Sequence, residues 1–199
     1  MYPVPRVSPE HLAARRRQIV DAARRCFLRE GFHRTTMQDV IAEAGLSVGA
    51  VYRYFPSKAD LISAIAEEAV GGAEAVLDEV RHREPPPPLA EALDRALAYV
   101  ETQLGDDGVL RIAVQVWGEA QRDRALATLV AGKYDHVRGY LAALVRRAQD
   151  TGEVAADADP DAVASAMLAL ILGWLLQQLL TGRPDRATYI AGVRALLTP

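Results

Sequence analysis

Apolar positions recur along this chain at three- and four-residue spacing, and no stretch alternates convincingly with a period of two. That spacing lays an apolar stripe along one side of a helix, so the pattern predicts an all-α architecture of about nine helices. Ser8-Pro9 is a cap followed by proline at the first helical position. Leu12, Ile19, Ala23, Cys26 and Phe27 then mark one face of a helix that Gly31 ends. Thr36-x-x-Asp39 has the shape of a capping box, and its short helix runs to Ala44 and stops at Gly45. Ser47 can cap another short helix to about Tyr54, before Pro56 breaks the chain. Ser57-x-x-Asp60 starts a helix reaching about Val80.

Pro85 to Pro88 read as a rigid spacer. Beyond them, Leu89, Leu93, Leu97, Val100 and Leu104 share a helical face, and residues 105–108 (Gly-Asp-Asp-Gly) form a turn. Val109 to about Gln121 is apolar nearly all round, which predicts a central, enclosed helix. Leu126, Val130, Tyr134, Val137, Leu141, Leu144 and Ala148 make a long stripe closed by Gly152. Asp159-Pro160 opens the most apolar helix, ending at Gly182. Asp185 opens the last, with Tyr189, Ile190, Val193, Leu196 and Leu197 on one face.

Composition narrows the class. Half of the 199 residues are hydrophobic, enough for a sizeable core. The net charge of -3 conceals an asymmetry: residues 1–60 carry ten Lys/Arg against six Asp/Glu, and the remainder 13 against 20. A basic first third on an acidic body suits a polyanionic partner for that third, although charge runs are commonly just solvated surface. The single cysteine, Cys26, among Ala22, Ala23 and Phe27, reads as a buried structural residue and fits a reducing cytoplasm. No apolar signal segment is visible in residues 1–8. The longest apolar run, Ala162 to Leu176, is shorter than the ~20 residues a membrane span needs, so no membrane partner is expected.

The stretch Thr35 to Lys58, TTMQDVIAEAGLSVGAVYRYFPSK, carries the function. Two short helices joined by a tight glycine-containing turn form a helix-turn-helix. Val40, Ile41, Leu46 and Val51 would pack inward against Ile19 and Phe27, leaving the second helix a polar and aromatic outer face. Gly49 lets backbone approach a base edge or phosphate, and Val48 and Ala50 offer small apolar contacts to thymine methyls. Arg34, Thr35, Thr36, Ser47, Tyr52, Arg53, Tyr54 and Lys58 supply donors toward phosphates. Singly, each has a plainer role as cap, core aromatic or surface charge. Together, on a basic segment, they favour DNA.

The segment from about Arg16 to Leu61 resembles the DNA-binding domain of TetR/AcrR-type regulators. The matching pieces are Ile19 to Phe27, Gly31-Phe32, Thr35-Thr36, Ile41-Ala42-Glu43-Ala44-Gly45, Ser47-x-Gly49-x-x-Tyr52-x-Tyr54-Phe55 and Lys58-x-x-Leu61. Arg53 departs from the pattern at a position often aromatic, which bears on operator preference. Arg111 to Ala120 and Tyr134 to Val145 resemble the ligand domains of the BetI-like branch. The resemblance implies a helix-turn-helix domain at 1–60 and an effector-binding and dimerisation domain at 61–199. It implies a homodimeric cytoplasmic repressor on a palindromic double-stranded operator, paired through the helices at about Pro160 to Leu180 and Asp185 to Leu197. A small hydrophobic or amphipathic effector would release it by shifting the helix that begins at Ser57. Candidate ligand contacts are Tyr99, Gln103, Gln115, Trp117, Tyr134, Trp174 and Gln178, residues that offer aromatic surface or hydrogen bonds from central helices.

Two other classes fit the sequence less well. Enzymatic function lacks a positioned nucleophile, base or phosphate loop, and His11, His33, His82 and His136 lack metal-ligand spacing; no cofactor or metal is indicated. A helical scaffold explains the helices and the apolar segment near the C-terminus but not the helix-turn-helix chemistry.

Overall fold

The structure, a computed structural model, describes residues 8–105 and 108–197. Arg6 and the two aspartates at the centre of the 105–108 turn lie outside the described residues, as does the side chain of Leu197. Nine helices and no strand occur among the described residues: α1 (Pro9–Glu30), α2 (Met37–Ala44), α3 (Val48–Tyr54), α4 (Lys58–Arg81), α5 (Leu89–Thr102), α6 (Leu110–Ala120), α7 (Arg124–Asp150), α8 (Pro160–Thr181) and α9 (Arg186–Leu197).

Local chemistry sets the boundaries of the first four. Ser8 Oγ accepts from the His11 amide at 3.3 Å, and Gly31, at φ 87°, lets the chain leave α1 where a side chain would be strained. Thr36 and Asp39 form the full reciprocal capping box of α2, whose far end turns through left-handed Gly45. Ser47 and Ser57 cap α3 and α4 by accepting from Ala50 and Asp60 amides. Each cap satisfies a donor the helix leaves orphaned and is worth ~1 kcal/mol.

Two apolar cores result. The first gathers Ile19, Val20, Ala23, Cys26 and Phe27 of α1 with Val40, Ile41, Val51, Phe55, Leu61 and Ile65, and also takes in Ile112 and Val116 of α6 and Leu126 of α7. The second joins Leu77, Leu93, Leu97, Leu141, Val145, Met167, Leu168, Ile171, Trp174, Ile190 and Val193. Ion pairs cross the joints, with Arg24 on Glu68 at 2.7 Å between α1 and α4, and Arg25 and Arg29 both on Glu43 between α1 and α2. Several basic side chains of the first third are therefore already neutralised within the protein.

Four expectations change. Leu12 is exposed, because the first turns of α1 project past the core. Leu104 lies beyond the end of α5 and packs on the second core from the loop. Helix α6 is not enclosed: only Ile112 and Val116 are buried along it, and Arg111 and Gln115 are exposed, because α6 crosses the side of the bundle. Helix α8, at 22 residues, is long and apolar enough to cross a membrane by length and composition alone. Its buried face (Ala164, Met167, Leu168, Ile171, Trp174 and Leu175) packs within this chain, and its exposed positions include Ala162, Ser165, Ala166, Ala169 and Leu176.

Candidate nucleic-acid interface and an apolar cavity

Helix α3 is anchored from behind and open in front. Val51 is fully buried, and Phe55 closes the helix into the first core at 3 % exposure. On the outer side, Val48 is 58 % and Tyr52 39 % exposed, with Ser47, Gly49 and Arg53 also exposed and Ala50 half-buried. A side chain added at Gly49 would meet nothing within 4 Å, so the surface there is open backbone. Tyr54 is half-buried against the core, with the Arg53 guanidinium over its ring at 5.8 Å. Thr36 is exposed at the start of α2, and Arg34 beside it donates to the Glu30 carbonyl at 3.0 Å.

Two residues expected beside these commit their polar atoms inward. Thr35 is 1 % exposed and its hydroxyl donates to the Gly31 carbonyl at 2.9 Å, closing the end of α1. The Lys58 ammonium donates to the carbonyls of Phe32 at 2.7 Å, Thr35 at 3.0 Å and His33 at 3.3 Å, and sits 4.4 Å from the Phe32 ring centre. Burial pulls its pKa below the usual lysine value, and the Glu119 charge opposes that pull. Lys58 clamps the α1–α2 turn. The sequence showed a positive charge at the right place but not the three carbonyls that claim it. Gln18 was missed altogether: its amide donates to the Ala44 carbonyl at 2.8 Å and ties α2 to α1.

The second site is a cavity of about 190 Å³ between α4, α5, α6, α7 and α8. Its wall is almost wholly apolar, from Ile65, Ala69 and Ala73 on α4 to Leu172 and Leu175 on α8. Tyr99, Gln103, Trp117 and Tyr134 line it, as their sequence positions suggest. Tyr134 packs edge-on against Trp117, with centroids 6.3 Å apart, and burial pushes its phenol up to about 12. The Tyr99 hydroxyl donates to the Ala69 carbonyl at 2.7 Å and occupies the space over Gly72, where a Cβ would collide with the ring; burial raises its pKa. Gln115, Trp174 and Gln178 are not part of the wall. Gln115 accepts from the Phe32 amide at 2.6 Å. Trp174 donates to the Pro184 carbonyl at 3.1 Å, Gln178 donates to the same oxygen, and both close the α8–α9 turn. Lys133, one residue before Tyr134, lines the cavity and lies 3.6 Å from Glu67. It was missed because it interrupts an otherwise apolar stripe and reads as surface.

Comparison with known proteins adds to this geometry. A family model described as bacterial regulatory proteins of the tetR family matches residues 19–65, and one described as the C-terminal part of BetI-type transcriptional repressors matches residues 89–198. The chain is 31 % identical over 190 residues to the HTH-type transcriptional repressor Rv1474c of Mycobacterium tuberculosis, covering 92 % of each. It is 26 % identical to the HTH-type transcriptional regulator UidR of Escherichia coli, covering 92 % of this chain and 90 % of that one. Among solved structures, Salmonella enterica GusR superposes with a TM-score of 0.78 at 28 % identity, covering 98 % of this chain and 97 % of the other.

Proposed function

The chain belongs to the TetR family of bacterial regulatory proteins, as a transcriptional repressor with a BetI-type C-terminal half, and from that premise we propose how it works. It binds a roughly palindromic operator as a homodimer, one α3 in each of two successive major grooves, and a small hydrophobic or amphipathic molecule releases it. The observation that carries this reading is α3 itself, buried through Val51 and open through Val48, Gly49 and Tyr52. Seven residues held from one side leave a short convex ridge that fits a major groove.

The contacts divide by chemistry. Val48, Gly49 and Ala50 face base edges. Arg34, Thr36, Ser47, Tyr52, Arg53 and Tyr54 hold phosphates and fix register. Lys58 and Thr35 shape the turn that aims them. In residues 61–199 the cavity takes the effector, with Tyr99, Gln103, Trp117 and Tyr134 in contact with it. Its apolar wall supports a ligand with an apolar body. Helix α4 belongs to both sites: Leu61, Ile62 and Ile65 help build the first core, and Ile62, Ile65, Ala69 and Ala73 line the cavity. A ligand that favours one position of α4 therefore disfavours DNA, and DNA reciprocally disfavours the ligand. The dimer forms through α8 and α9, whose outer faces present Ala162, Ala166, Ala169, Leu180, Ala191, Ala195 and Leu196. Small residues let partner helices approach closely, and Leu180 and Leu196, 80 % and 84 % exposed, supply apolar area that a partner would bury. Its place of action is the cytoplasm.

Binding of DNA from just upstream of the protein's own coding region, over a salt series with non-specific competitor, tests this reading. Specific binding that weakens steeply with salt is expected, and Arg53→Ala should reduce the salt slope by about one. Salt-insensitive or fully competed binding, with no site recovered from a random-sequence selection either, would leave a helical scaffold as the better account.

A further inference from the structure

We infer that α6 is a second mechanical link between the cavity and the DNA-binding unit, with Gln115 as the residue that positions the α1–α2 turn; the inference rests on the function proposed above. Helix α6 has two working faces. Ala113, Val116 and Trp117 line the cavity. Gln115 and Glu119, one turn apart and so on one side of the helix, reach the turn between α1 and α2. The Gln115 side-chain oxygen accepts from the Phe32 amide at 2.6 Å, and Glu119 lies 3.2 Å from His33 Nδ1.

The turn they grip is held tightly elsewhere. The Phe32 ring packs 5.3 Å from Phe27 of α1, Lys58 of α4 binds the Phe32, His33 and Thr35 carbonyls, and Gly31 brings its backbone close enough that a Cβ would stand 3.3 Å from the Gln115 oxygen. From this turn the chain passes directly into the Thr36 cap of α2. A ligand that displaces Trp117 or Ala113 moves α6, and α6 pulls on the Phe32 amide without any movement of α4. The His33–Glu119 pair, with His33 out in solvent, adds little. The short Gln115 hydrogen bond to an amide carries the link, because that amide has no helical partner.

The test fills the cavity by mutation. Ala113→Phe, or Val130→Phe from the α7 wall if the first does not fold, stands in for a ligand. Two readouts are taken: the exchange rate and chemical shift of the Phe32 amide, which need no DNA, and affinity for the selected operator. In the parent chain, filling the cavity should speed Phe32 exchange about tenfold and lower operator affinity about tenfold. In a Gln115→Ala background the affinity loss on filling should shrink to about threefold or less, and Gln115→Glu, which keeps the acceptor, should restore the full response. A merely structural hydrogen bond would lower affinity in Gln115→Ala yet leave the effect of filling unchanged. That result, or a Phe32 amide that ignores filling, overturns the inference. Failure to find any specific operator would count against the proposed function while the amide readout still decides the link.

Discussion

The two cores are built to different standards. Around Phe27 the core side chains Ile19, Val20, Cys26, Val40, Val51 and Leu61 are fully buried, and α1 to α4 each begin on a side-chain cap, so the first core holds α3 firmly from behind. Where the second core meets the first an apolar cavity of about 190 Å³ is left open, and much of α8 and α9 stays uncovered. Close packing stabilises one arrangement, whereas a void lined by flexible contacts leaves room for another. The difference matches the roles proposed: a rigid reader and a deformable sensor.

The comparison can be broken most directly by truncation. Phe27→Ala should cost about 3–5 kcal/mol in urea unfolding, because a fully buried ring leaves a cavity behind. Trp117→Ala, at a wall that already borders empty space, should cost under about 2 kcal/mol. Equal losses would mean that the cavity wall is packed as tightly as the first core. Next in size, Ala169→Arg on the exposed face of α8 should convert the proposed dimer to monomer by sedimentation while each chain stays helical, since a charge pressed between small residues of two chains would find no partner. A dimer of unchanged mass would move the interface elsewhere. The smallest effect concerns a cap. Hydrogen bonds from the Thr36 hydroxyl and amide hold the Asp39 carboxyl below its usual 3.8. A carboxylate with a lowered folded pKa contributes stability that is whole above its unfolded value and is lost as pH falls through the folded one. The unfolding midpoints of the parent and Asp39→Asn should therefore differ at neutral pH and converge as acid takes the pH below 3.8 and through the lowered folded value.

The same contrast explains what the sequence disclosed. The helix-turn-helix was legible because its boundaries are local statements: Thr36 with Asp39, Gly45, Ser47, and Ser57 with Asp60 act on neighbours three residues away. The exposed outer face of α3 followed from the same spacing. Partners far apart in sequence were not legible. Nothing near Lys58 announces that carbonyls 23 to 26 residues earlier will claim it, and nothing near Gln115 points to an amide 83 residues away. The cavity was half visible: aromatic residues on central helices gave Tyr99, Trp117 and Tyr134, but Trp174 has the same signal and closes a turn instead. A void is defined by what fails to fill it, and no single residue encodes that. The apolar faces of α8 and α9 were visible as composition, and the structure leaves positions such as Ala166, Ala169, Leu180 and Leu196 on them bare.

The Tyr99 hydroxyl seated over Gly72 on the Ala69 carbonyl lies near the midpoint of α4, which runs from Lys58 to Arg81. A rod pinned at its middle is a balanced lever. With a rise of 1.5 Å per residue, each arm extends roughly 17 Å from the fulcrum. A sideways displacement of the far arm at Ala73 or Leu77 would emerge at Lys58 reversed and enlarged in proportion to the arms, roughly threefold from Ala73 and roughly 1.5-fold from Leu77, whereas a force applied close to Tyr99 has almost no leverage. Molecules of similar affinity could then differ widely in the movement they produce, according to how far along the lever they press.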